Sequence, residues 1–112
     1  MSGKKSLKPQ VDGRIWLSVD GKPLLGRGRV ELLKGIRETG SISRAAKAMK
    51  MSYKAAWDAV DATNRAWGKP LVQTSPGGST LTDEAKRLIA AFHLAEARHH
   101  DFLSELEKSL LH

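Results

Sequence analysis

GSISRAAKAMKMSYKAAWDAVDATNRAWG, Gly40 to Gly68, decides the fold. Ser41 or Ser43 suits the front of a short helix, since a serine hydroxyl there accepts from an otherwise unpaired backbone N–H. That helix reaches Ala48 or Met49. Lys50-Met51 connects, Ser52 caps a second helix running to about Trp67, and Gly68 with Pro70 stops it. A short helix, a tight turn and a longer helix make a helix-turn-helix. Ala45 and Ala46 suit two helices that cross steeply at close range, with Met49, Met51, Ala56 and Val60 supplying apolar contacts beneath.

Upstream, Ile15, Leu17 and Val19 alternate with Arg14, Trp16 and Ser18, which predicts a strand over 14–19. Asp20-Gly21 makes a tight turn, and Lys22 to Leu25 returns. From Arg27 the period becomes helical: Val30, Leu33 and Ile36, with Leu32 beside them, mark a helix over roughly 28–39 that ends at Gly40. Downstream, Leu71 to Ser75 and Ser79 to Leu81 flank Pro76-Gly77-Gly78, a hairpin in the position of a wing. Thr82 then caps a last helix, with Asp83 and Glu84 in its first turn, where the helix dipole favours negative charge.

That helix carries apolar residues at steps of three and four to near Leu110: Ala85, Leu88, Ile89, Phe92, Ala95, Phe102, Leu103, Leu106 and Leu110, with His99 filling the gap. At 1.5 Å per residue it is about 42 Å long, more than a small domain covers. Its distal half calls for a partner, most simply its own copy, through Leu88, Phe92, Ala95, His99, Phe102, Leu103 and Leu106. The expected fold class is mainly α with small β-hairpins, a winged helix-turn-helix with a long C-terminal dimerisation helix. The expected organisation is a flexible basic leader over 1–13, a DNA-binding domain over 14–81 and the dimerisation helix over 82–112.

The charge is unevenly spread. Residues 1–80 hold 15 lysines and arginines against 6 acidic residues, whereas residues 81–112 hold 4 against 6, for a net +7. A basic body with a slightly acidic tail fits a nucleic-acid binder with a separate assembly element. With no cysteine there is neither a disulfide framework nor a thiolate metal site. No membrane span or secretory leader is legible, and a cytoplasmic protein is expected. His93, His99, His100 and His112 lack ligand spacing, GRG at 26–28 and PGG at 76–78 are too short for phosphate loops, and no Ser/His/Asp set stands out. No enzyme, cofactor or metal is expected.

In the helix-turn-helix reading the second helix enters a major groove. Tyr53 and Lys54 lie in its first turn, where base and phosphate contacts fall. Two placements fit Trp57: against thymine methyls or sugars, or packed on the first hairpin or the wing. Asp58 can pair with Lys54 and Asp61 with Arg65 at i,i+4, or an Asp can instead accept from cytosine N4. Arg44, Lys47, Arg27 and Arg29 are phosphate candidates, and Gln73, Thr74 and Ser75 offer short polar groups in the wing.

These stretches also carry a resemblance. GSISRAA is shared broadly with LysR-type helix-turn-helices. SYKAAWDAV, flanked by RIWLSVDGKPLLGRGRVELLKGI and LVQTSPGGSTLTDEAKRLI, resembles the DNA-binding domain of the molybdate-responsive transcriptional regulators (the ModE family) over roughly residues 14–95. The resemblance implies a winged helix, a homodimer built on long helices, a palindromic promoter site on double-stranded DNA, and a DNA-facing set of Ser43, Arg44, Ser52, Tyr53, Lys54 and Trp57. The sequence departs from the family in a short wing tip, SPGGST, and in lacking anything that forms an oxyanion-binding domain, so an oxyanion effector is not expected to bind this chain. The alternatives from other classes are a winged-helix protein-interaction module and a nucleoid-type binder of low specificity.

Overall fold

The computed structural model describes residues 6–111. Lys4 and Lys5 of the expected leader, and His112, lie outside them. Chain order is β1 (Leu17–Val19), β2 (Lys22–Leu25), α1 (Arg27–Thr39), α2 (Ile42–Ala48), α3 (Tyr53–Trp67), β3 (Val72–Ser75), β4 (Gly78–Leu81) and α4 (Asp83–Leu111). Each strand pair forms its own antiparallel sheet. The first strand is shorter than the alternation predicts: it starts at Leu17, not Arg14, and a register irregularity between Leu17 and Ser18 interrupts pairing at that end.

The core lies where α1, α2 and α3 meet. Val30, Leu32, Leu33 and Ile36 of α1 are buried with Ile42, Ala45 and Ala46 of α2 and Ala56 and Val60 of α3. Leu24 and Leu25 of β2 close one side, and Leu71, Val72, Leu81, Ala85, Ile89 and Phe92 close another. The small residues of α2 serve its contact with α1: a Cβ on Gly35 would stand 3.1 Å from the Ala45 Cβ. Met49, expected beneath the motif, is instead exposed. It follows the last residue of α2 and caps it with its backbone, so its side chain leaves toward solvent.

The wing is locked to the α1–α2 corner. Gly40 ends α1 at φ 70, a left-handed conformation that suits glycine. Its carbonyl accepts from the Ser79 backbone N–H at 2.9 Å. Gly78, at φ +132, passes so near that a Cβ there would lie 2.6 Å from the same carbonyl oxygen. At the other end of the hairpin, Asn64 of α3 clips the wing's base. Its Oδ1 accepts from the backbone N–H groups of Leu71 (2.8 Å) and Val72 (3.1 Å), and its Nδ2 donates to the Val72 carbonyl at 3.1 Å. Trp67, at the end of α3, is half-buried. Its indole N–H donates to Glu84 Oε2 at 2.8 Å and ties the end of α3 to α4.

Helix α4 has 29 residues, about 43 Å at the usual rise, in a molecule whose longest extent is 64 Å. Its first turns pack into the core through Ala85, Ile89 and Phe92. The stretch before β1 then continues that cover. The Val11 N–H donates to Glu107 Oε1 at 2.9 Å, and a Cβ on Gly13 would lie 3.1 Å from the His99 ring and 3.5 Å from Leu103. Residues 11–13 of the expected leader are therefore laid along the helix. This corrects three members of the expected dimerisation stripe. Phe92 is 1% exposed inside its own subunit's core, and His99 and Leu103 face the N-terminal segment. Phe102 stays open, as do Leu94 and Leu110.

Candidate nucleic-acid interface

The surface is built on two capped helices and the turn between them. Ser41 Oγ accepts from the Arg44 N–H at 3.1 Å and starts α2, and Ser52 Oγ accepts from the Ala55 N–H at 3.0 Å and starts α3. Between them Lys50 takes φ 56, which turns the chain in a single residue. Ser43, Arg44 and Lys47 on α2, Lys50 in the turn, and Tyr53 and Lys54 on α3 are all exposed. Among the described residues Arg44, Lys47 and Lys50 form no ion pair. Lys54 Nζ lies 2.9 Å from Asp58 Oδ2, and that hydrogen bond, with the charge behind it, holds the ammonium above the usual lysine value. Asp61 pairs with Arg65 one turn on. Both acidic residues on the outer face of α3 are thus spoken for within the helix.

Trp57 occupies an intermediate place. It is 36% exposed, and its ring meets Tyr53 edge-on, with centroids 6.4 Å apart and planes 75° apart. Its indole N–H donates to the Tyr53 hydroxyl. The two rings border a shallow depression of about 150 Å³ shared with Ser43, Thr74 and Ser79. The ring thus borders residues of the wing and stays partly open to solvent. Gln73, Thr74 and Ser75 are exposed on β3, with Thr74 Oγ1 3.2 Å from Ser79 Oγ and Ser75 Oγ 3.4 Å from the Gly78 carbonyl.

The structure does not bring Arg27 and Arg29 to this surface as free cations. Arg27 places Nε and Nη2 each 2.8 Å from Glu96 Oε2 on α4, beside a cleft lined by the 12–16 segment, α1 and α4 and by no residue of α2 or α3. Arg29 donates to the Leu24 carbonyl at 3.1 Å. Sequence reasoning missed Asn64 and Gly78, which aim the wing, and Lys50. The glycine's conformation was signalled by PGG, but nothing in the sequence pointed the Asn64 amide at a strand.

The comparisons agree with this geometry. A family model described as the bacterial regulatory helix-turn-helix protein, lysR family, matches residues 27–86. The chain is 46% identical over 91 residues to a molybdenum-pterin-binding protein, MopB, of Rhodobacter capsulatus, covering 77% of this chain and 34% of that one. It is 38% identical over 102 residues to the molybdenum transport protein ModE of Azotobacter vinelandii, covering 87% and 38%. The chain thus spans about a third of the length of the curated relatives it matches. Among solved structures, the CbnR DNA-binding domain in complex with DNA superposes with a TM-score of 0.60 at 19% identity, over 76% of this chain and 99% of that one, which shows a shared fold. The chain belongs to the lysR family of bacterial regulatory helix-turn-helix proteins.

Proposed function

We propose that this chain is a sequence-specific, DNA-binding transcriptional regulator and not an enzyme, acting in the bacterial cytoplasm as a homodimer. The observation that carries the reading is the α2–turn–α3 surface, where Arg44, Lys47 and Lys50 stand unpaired among described residues beside Tyr53 and Lys54. Helix α3 enters the major groove by its first turn. Ser43, Arg44, Lys47 and Lys54 hold phosphates or base edges, and Gln73, Thr74 and Ser75 of the wing lie against the flanking backbone. Ser52 spends its acceptor on the cap and keeps its hydroxyl proton for a phosphate. The dimer forms through α4, where Phe102 and Leu94 are exposed and Leu88, Ala95 and Leu106 are partly exposed. Two copies related by a two-fold axis require a site with matching dyad symmetry.

In vitro selection from a random duplex library, followed by footprinting, tests the proposal. The expected result is a palindromic site whose half-sites lie about one helical turn, or a multiple of it, apart. Recovery of unenriched sequence would refute the sequence-specific reading. An oxyanion effector is not part of the proposal, so tryptophan fluorescence is expected to stay flat on titration with molybdate.

A further inference from the structure

Trp57 and Tyr53 are linked in a way that surface exposure alone does not explain. A tyrosine hydroxyl carries one proton to donate and accepts through its oxygen. Here the Trp57 indole, which can only donate, uses that oxygen. The hydroxyl proton is left for a partner outside the helix, and Tyr53 is itself half exposed, at 54%, in the first turn of α3. The edge-on contact at 6.4 Å holds the two rings together, and Trp57 is in turn seated beside Ser43 and Thr74.

We propose that Trp57 is a positioning residue that fixes the Tyr53 hydroxyl as a hydrogen-bond donor, so that α3 selects an acceptor atom on DNA at that point. This rests on the DNA-binding reading above. Acceptors available there are guanine N7 and O6, adenine N7, thymine O4 and the phosphate oxygens.

The test is a double-mutant cycle on duplexes selected by the wild-type protein, with random duplex alongside. Tyr53→Phe removes the donor and keeps the ring. Trp57→Phe keeps an aromatic in the depression and removes the indole N–H. Each single change is expected to weaken binding to the selected duplex about threefold to tenfold, the worth of one hydrogen bond. Trp57→Phe should have no further effect once residue 53 is Phe, and thermal unfolding should be unchanged in all variants. Loss confined to the selected duplex places the acceptor on a base edge; equal loss on random duplex places it on a phosphate; both support the donor assignment. Losses that add independently would overturn it, showing that Trp57 acts by its own contact, as would undiminished binding by Tyr53→Phe. Failure of the wild-type protein to bind any duplex would instead remove the DNA-binding reading, with the cycle never reached.

Discussion

At the scale of single residues, the wing depends on two positions with little chemical character. Gly78→Ala must either move the Gly40 carbonyl or abandon φ +132, because its Cβ would meet that oxygen at 2.6 Å. The expected cost is about 1–3 kcal/mol or more, measured by denaturant unfolding. Gly77→Ala, with its nearest neighbour 3.9 Å away, should change stability by less than about 0.5 kcal/mol. Asn64→Ala leaves the buried Leu71 and Val72 N–H groups without their acceptor and should cost about 1–3 kcal/mol. Lys54 gives the pH behaviour. Its ammonium is held above the ordinary lysine value by Asp58, so the pair's contribution is complete below the ordinary value and is lost only as pH rises through the raised one. Duplex affinity measured from pH 6 to pH 9, a range about which lysine stays charged, should therefore show no change traceable to Lys54.

At the scale of elements, the helix-turn-helix was the most legible part, and the reason is periodicity. Of the two candidate serines Ser41 carries the first cap, Ser52 carries the second, and the i,i+4 pairs Lys54–Asp58 and Asp61–Arg65 form as their spacing allows. What spacing does not encode is which neighbour covers an apolar face. Phe92, His99 and Leu103 fall on one helical stripe with Phe102, yet the core takes Phe92 and the 11–13 segment takes the other two. A stripe read from one helix reports a burial requirement, and the tertiary fold assigns it. The same limit hid Arg27, whose partner Glu96 is 69 residues away. Helix α4 therefore presents two faces with separate tests. Leu94→Glu with Phe102→Glu, on the open face, should shift the protein toward monomer in analytical ultracentrifugation while the circular dichroism spectrum stays helical. Gly13→Val, on the covered face, should free the N-terminal segment from His99 and speed hydrogen exchange at the Val11 amide, with oligomeric state unchanged.

At the scale of the whole molecule, charge and shape divide the labour. The net positive charge gathers in residues 1–80, and the long helix α4 lies outside that region. A basic body held by a long helix implies affinity that falls with salt, because each neutralised phosphate releases condensed counterions, with a slope of about −0.9 per phosphate in a log–log plot. The central claim, that the α2–turn–α3 surface is where duplex DNA binds, is tested most directly by that titration on the selected duplex with the wild type and the double charge reversal Arg44→Glu, Lys54→Glu. The account predicts steep salt dependence for the wild type and loss of duplex binding for the variant, with sedimentation unchanged. A variant that binds duplex as tightly as the wild type, with the same salt slope, would contradict it.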